Sequence, residues 1–458
     1  MKIKEIAFYL FSTFILMLPA FYNGYPLVYS DTGTYIISGM EWFVPVDRPV
    51  MYGLFIRFFS FQFSLWLVVF FQSLLVSVVL WHFCKLFYAS LKESTYLFLL
   101  FILTWFTGLG WYCSLLMPDI FTAVAVCCTV LLLNRKKWSA KLQIFFSVLL
   151  VFSISVHFAN FFIVALFLLV LLPLYKYYLK DEWKERKLSF AFTFLILFSS
   201  FGAKIISNYA VQGSISSNNS THVFLMGRML DSGVLKSFLD DNCKEENYVL
   251  CDCKDSLPAN SRVLMWDGGS PFYKHGGWLN SQENYNAILK DIMWSPKHLS
   301  MFLFNSSFAS VTQLLQSDFS SVFVDEWYRA SDSAPYIGIS KHFPHELNPY
   351  LLSLQNNHLW GETLDFTVIN VIYRGLLIIG ALFLLAIVML PNFRNMLEKQ
   401  TKFFLLMVFV ANFVNAIIVA TFANVYSRLQ VRFSWLLVLI CFIAISKMIQ
   451  DYFQKRKL

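Results

Sequence analysis

Charge is what this sequence has least of. Only 14% of its 458 residues are Asp, Glu, Lys or Arg, against about 25% in an ordinary soluble chain. A water-soluble globular fold is therefore excluded for most of its length. The sequence also lacks an internal repeat, a low-complexity tract and any Gly-rich phosphate loop, so a nucleotide-binding fold has no foothold. What it has instead is apolar: 57% hydrophobic residues, 19% aromatics and 50 Phe. These gather in unbroken blocks of about 18 to 25 residues, the length that crosses a hydrocarbon core of roughly 30 Å. Lipid tolerates only helices or closed barrels. The blocks do not alternate with period two, so they read as helices.

Ten blocks stand out, near 6–21, 62–84, 95–112, 119–133, 142–158, 160–177, 188–207, 367–390, 402–422 and 433–449. The expected fold is an all-α polytopic membrane protein of about ten spanning helices. A soluble domain of mixed secondary structure is expected between helices seven and eight. Residues 1–207 form the first membrane region with a loop at 22–60, residues 208–366 the inserted domain, and 367–458 the second membrane region. Lys2 and Lys4 precede the first block as in a signal sequence. No small-x-small cleavage site follows, so an uncleaved helix is expected.

The net charge is +8, from 36 basic and 28 acidic residues. The basic residues are not a nucleic-acid surface, because they sit in alternate short loops. Lys85 and Lys92 follow the second block, Arg135 to Lys137 the fourth, Lys180 to Lys187 the sixth and Arg394 to Lys402 the eighth. Lys455, Arg456 and Lys457 close the pattern. The positive-inside rule then puts both termini in the cytoplasm, as in a bacterial inner-membrane protein, and the inserted domain outside.

Five of eight cysteines (84, 113, 127, 128 and 441) lie in or beside apolar blocks and read as small core residues. Cys243, Cys251 and Cys253 lie in the outer domain, where one disulfide from Cys243 to either partner is expected. A zinc site would need a better fourth ligand than Asp252 or Asp255. Asn219-Ser220-Thr221 and Asn305-Ser306-Ser307 fit the glycosylation acceptor pattern, which occurs by chance as well.

Four features on the outer side carry chemistry. The first loop holds Asp31, then Asp47-Arg48-Pro49-Val50-Met51-Tyr52; a carboxylate at a membrane exit, partly desolvated, can act as a base. An ordinary loop acid is the competing explanation. Asp119 follows Pro118 at the start of the fourth block, where helix-initiation chemistry accounts for it equally well. His157 sits at a turn with Asn160, a common structural position. Arg428 and Arg432 lie between the last two helices, against the positive-inside trend, and need an anionic partner. Guanidinium suits phosphate through paired hydrogen bonds. Lys204 and Arg374 are near the same depth.

This arrangement resembles the GT-C superfamily of membrane glycosyltransferases, which includes protein O-mannosyltransferases and aminoarabinose transferases. The likeness rests on Asp31 soon after helix one, on Arg48-Pro49-Val50-Met51-Tyr52 leading into helix two, on Asp119 opening a later helix, and on a large outer domain. It implies inverting transfer from a polyprenyl-phosphate-linked sugar to a glycan, lipid or protein acceptor. Asp31 would be the base, with Asp119 and Asp47 as further catalytic carboxylates. Arg428 and Arg432 would hold the lipid phosphate; Arg48, Tyr52 and His157 would line the substrate. No cofactor is certain, and a divalent metal is a possible addition. Thr32 departs from the pattern, since many members have Glu there. Competing readings are an O-antigen polymerase or ligase, a flippase for lipid-linked sugars, and a non-catalytic assembly or receptor protein.

Overall fold

The computed structural model describes residues 3–213, 220–357 and 363–455. Lys2, Asn219, Arg456 and Lys457 lie outside them. The chain opens with α1 (Ile3–Leu16), α2 (Leu18–Asn23), α3 (Thr32–Glu41), α4 (Met51–Phe59), α5 (Leu65–Phe87), α6 (Glu93–Phe106), α7 (Gly108–Cys113), α8 (Ile120–Leu133), α9 (Ala140–Ser155), α10 (Phe158–Tyr178) and α11 (Lys180–Gln212). Shorter helices follow: α12 (Thr221–Asp231), α13 (Val234–Asn242), α14 (Ser261–Trp266), α15 (Pro271–Lys274), α16 (Gly277–Asn280), α17 (Gln282–Trp294), α18 (Pro296–Leu314), α19 (Ser320–Phe323), α20 (Ala334–His342) and α21 (Leu347–Leu351). Last come α22 (Thr367–Met389), α23 (Pro391–Met396), α24 (Lys399–Phe422) and α25 (Ser427–Lys455).

Six helices, α5, α10, α11, α22, α24 and α25, are long and apolar enough to cross a membrane, and α6, α8 and α9 are shorter apolar helices. The chain is a helical, multi-pass membrane protein. Helix α8 shows why length alone is a poor guide. All of its residues are buried, as expected for a helix that is apolar all round. At about 1.5 Å per residue it spans roughly 21 Å. Enclosed by neighbours, it need not reach both lipid faces, and its first turn is recessed inside the bundle.

The basic loops meet at one end. Arg186 donates to Asn134 at 2.6 Å, Lys136 pairs with Glu185 at 3.7 Å and Gln400 donates to Glu182 at 3.0 Å. Lys4 pairs with Glu93, and Lys447 with Glu398. Residues 180–187, expected as a loop, are the first turns of α11.

The reading of 208–366 as one inserted domain of mixed structure needs two corrections. Among the described residues no strand occurs; the only pairing of that kind is an isolated parallel bridge between Leu27 and Leu115. The segment also divides. A small core of its own runs from Val223 to Phe302, while Phe319 to Phe366 pack into the main core. The apolar residues of α19 to α21 are thus spent on the membrane body. The structure joins Cys243 to Cys251 and leaves Cys253 free.

That second part straps the first loop in place. Gln355 exchanges two 2.9 Å hydrogen bonds with the Val28 backbone. Glu346 accepts from Tyr25 Oη at 2.7 Å and from Leu65 N at 3.2 Å. Helix α20 crosses α3 so closely that a Cβ on Gly33 would stand 1.8 Å from the Ala334 carbonyl oxygen. Both partners there are backbone, so neither can rotate away. Gly33→Ala is expected to lower the melting temperature of the detergent-solubilised protein, with an overpacking cost of about 1–3 kcal/mol. An unchanged melting curve would mean that α20 does not press on α3.

Candidate functional site

Asp31 is fixed by its neighbours before it meets any arginine. Leu27 N donates to Ser114 O and Leu116 N to Leu27 O, each at 2.9 Å. Thr32 Oγ1 accepts from Tyr29 N at 2.9 Å and donates to Leu116 O at 3.1 Å. The first loop is thereby stitched to the strand-like segment leading to Asp119. Thr32 is fully buried, so the longer, charged Glu of the GT-C pattern has no room or solvation there.

Four helix N-termini then converge. Asp31 precedes α3, Asp119 precedes α8, His157 precedes α10, and Arg428 and Arg432 occupy the first turns of α25. None of the first three caps its own helix. Asp119 therefore does more than start α8: its carboxylate turns to the arginines. Asp31 Oδ2 lies 3.2 Å from Arg428 Nη1, and Asp31 Oδ1 lies 3.1 Å from Arg48 Nη1. Asp119 Oδ1 lies 3.2 Å from Arg432 Nη1 and 3.6 Å from Arg428 Nε. Asp47 accepts from Arg48 Nε with both oxygens at 3.1 Å. Arg428 lies over the Tyr29 ring at 4.3 Å and Arg48 over Tyr35 at 5.3 Å, cation–π contacts that favour the charged guanidinium.

The cluster is graded in depth. Side-chain exposure falls from 23% at Asp31 and 18% at Arg428 to 1% at Asp119 and nothing at Arg432. Among the described residues, Arg432 Nε and Nη2, Asp119 Oδ2 and His157 Nδ1 are buried without a hydrogen-bond partner. Nε and Nη2 form the edge with which a guanidinium binds an oxyanion bidentately. Buried polar groups without a partner are costly, and four such atoms lie at this inner end.

Burial alone would raise the Asp31 carboxyl, but the Arg48 and Arg428 guanidiniums outweigh it and hold it down to about 2. Burial, reinforced by Arg432, lowers His157 to about 3, so its ring is neutral near pH 7.

The residues that sequence reasoning placed together do meet, with one exception and two absentees. Tyr52 is fully buried and donates to Gln72 Oε1 at 2.9 Å, packed edge-on against Tyr35. It supports the loop from behind and does not line the site. Arg374 donates to Ser317 and Lys204 sits over the Phe158 ring. Asn160 accepts from Thr122 at 2.9 Å and donates to Ser153 O at 2.7 Å, a tie between helices. Tyr112, which donates to Arg428 O at 2.8 Å, gave no signal in the sequence. Nor did Gln313, which bonds both backbone groups of Tyr426. Among the described residues no group of three His, Cys, Asp or Glu could hold a metal ion. No family model, curated protein or solved structure matches the chain.

Two outcomes test this electrostatic account. Asp119→Asn leaves Arg432 charged and unpaired in the interior, so it is expected to destabilise by about 3–5 kcal/mol. The double variant Asp119→Leu/Arg432→Leu should recover most of that in denaturation measurements; equal losses would mean the pair carries no coupling. The second outcome concerns pH. Because the folded Asp31 carboxyl lies below its ordinary value, its contribution is complete above about pH 4 and disappears as pH falls toward 2. The melting-temperature difference between wild type and Asp31→Asn should therefore be equal at about pH 5 and about pH 8. A difference that grows between those values would place the Asp31 carboxyl much higher.

Proposed function

We propose that the chain is a membrane glycosyltransferase of GT-C type. It moves a sugar from a polyprenyl-phosphate carrier to an acceptor at the face where Asp31 lies. On this reading that face is extracytoplasmic, both termini are cytoplasmic, and the membrane is a bacterial inner membrane. The ten membrane segments are α1–α2, α5, α6–α7, α8, α9, α10, α11, α22, α24 and α25.

The observation that carries the reading is the unpartnered bidentate edge of Arg432, set one helical turn along α25 from an Arg428 that already touches Asp31. Asp31, Asp47 and Asp119 balance the three arginines, and the four helix N-termini add the partial positive charge that favours an added anion. A phosphate taking the Arg432 edge draws Arg428 toward itself and away from Asp31. Freed of one guanidinium, Asp31 becomes more basic. The acceptor oxygen attacks the anomeric carbon from the face opposite the phosphate, and its proton passes to Asp31. The carbon–oxygen bond to phosphate breaks, and its electron pair stays on the phosphate held by Arg428 and Arg432. One displacement inverts the anomeric centre. Asp119 keeps both arginines aimed, and neutral His157 can donate to or accept from the phosphate side.

An apolar groove of about 430 Å³ lies between α1, α2 and α6, lined by Phe11, Phe14, Phe21, Phe98 and Phe101. Helix α2, at one end of it, leads through Leu27 to Tyr29 and Asp31. A prenyl chain lying there would bring its phosphate toward the cluster.

A flippase has one observation in its favour, the full burial of the Asp119–Arg432 pair, as in intramembrane ion pairs of transporters. Sugar release from radiolabelled polyprenyl-phosphate sugars by purified protein separates the two. Wild-type turnover abolished by both Asp31→Asn and Arg432→Ala supports the transferase, with at least a hundredfold loss, on the order of a missing general base. Binding of donor without release, in the presence of acceptor extracts, supports the flippase. Turnover indifferent to Asp31→Asn removes Asp31 as the base.

A further inference from the structure

Helix α18 carries a surface that a soluble domain has no use for. From His298 to Ser317 the sequence contains no Asp, Glu, Lys or Arg. One face of its second half is exposed and apolar: Leu303 56%, Phe304 63%, Phe308 61%, Val311 53%, and Leu315 just beyond its end at 74%. The polar residues on that face are turned inward on the helix itself. Ser307 Oγ donates to Leu303 O at 2.9 Å and Thr312 Oγ1 to Phe308 O at 3.1 Å. Such internal bonds leave no hydroxyl hydrogen demanding water.

The opposite face is narrow and closely packed. Ser306, Ser310 and Gln313 are buried, and the helix lies against α24, one of the helices long and apolar enough to span a membrane. Small residues such as these two serines let two backbones approach in lipid. The C-terminal end is fastened at the top of the bundle. Gln313 bonds Tyr426 N and O at 2.9 and 3.0 Å, and Ser427 donates to Gln316 at 2.8 Å. The N-terminal end belongs to the small core, where Phe302 is buried and Lys297 pairs with Asp241.

We propose that α18 lies in the outer membrane–water interface, with its N-terminal turns in water and its Phe304–Leu315 face against lipid acyl chains. Lipid is the occupant because this face continues the exposed apolar surface of α24, where Leu406, Phe409, Phe413 and Phe422 are 37–44% exposed. It also carries no charged residue, and Ser307 and Thr312 on it are hydrogen-bonded within the helix. The consequence is that residues 303–315 are part of the membrane region, and that lipid lies one helix away from the turn carrying Arg428.

The test uses the full chain in vesicles of phosphatidylethanolamine and phosphatidylglycerol. Nitroxide labels are placed at Phe308→Cys, Val311→Cys and Leu315→Cys in a Cys253→Ser background, with Glu283→Cys on α17 as a water-exposed reference. Collisions with oxygen should exceed those with a water-soluble nickel complex severalfold at the three α18 positions, and the order should reverse at 283. Nickel access at 308 and 315 equal to that at 283 would place the helix in water and overturn the proposal. Shielding from both reagents would overturn it in favour of a protein covering that face. Carbene labelling of the unsubstituted chain by a diazirine phospholipid provides an independent measurement. Labelled peptides should include 303–315 as well as α24, and labelling of α24 alone would refute insertion.

Discussion

One ion pair sets the terms for the rest of the molecule. Arg432 has no exposure and Asp119 almost none, so each charge is held in the interior by the other. Breaking such a pair costs more than forming it gains, because the remaining charge is stranded. Everything that positions α8 relative to α25 is therefore constrained to keep two atoms about 3.2 Å apart. The fold meets this by burying α8 completely and by fastening α25 near its start. Asn415 donates to Leu429 O, and Tyr112 donates to Arg428 O.

The outer half of the cluster depends on a different device. Asp31 lies on a loop, and a loop at a membrane surface is ordinarily mobile. Here backbone is tied to backbone between Leu27 and Leu115, Thr32 closes the gap to Leu116, and Gln355 grips Val28 from above. Gly33 and Gly39 then let α20 and α4 approach α3 at distances a side chain would forbid. A residue that departs from the GT-C pattern, Thr32, is in this way part of what holds Asp31 still. Where many GT-C enzymes carry a charged neighbour, this chain has a buried stitch.

The helical character of the chain was legible because hydrophobic blocks of spanning length leave little choice. The meeting of Asp31, Arg48, Asp119 and Arg428 was legible for a similar reason: charges on one side of a membrane protein have few other partners. Tyr52 was misjudged because a motif places a backbone, not a hydroxyl, and this hydroxyl points to Gln72. The segment 208–366 was misjudged because composition averages over length. Its polar first half and its turn-rich middle hid α19 to α21, whose apolar residues join the membrane core, and α18, whose face has no charge. The periodicity of Leu303, Phe304, Phe308 and Val311 was present in the sequence. Asn and Ser between them lowered the average, although Ser307 and Ser310 donate to carbonyls of the helix itself. The glutamines at 313 and 316 gave no pattern at all, since their partners, the Tyr426 backbone and the Ser427 hydroxyl, are far away in sequence.

The cluster also explains why carboxylates and guanidiniums in equal number are useful at one site. Asp31, Asp47 and Asp119 balance Arg48, Arg428 and Arg432, so the resting site is formally neutral and stable without a ligand. With its carboxyl held to about 2 by two guanidiniums, Asp31 is at rest a poor proton acceptor. Under the proposed transfer this is an advantage. An acceptor hydroxyl arriving alone meets a weak base and no activated sugar. A donor phosphate arriving at Arg432 competes for Arg428, and each step of that guanidinium toward phosphate strengthens Asp31. The base is then switched on by the leaving group it has to work with, and water reaching the empty site finds neither.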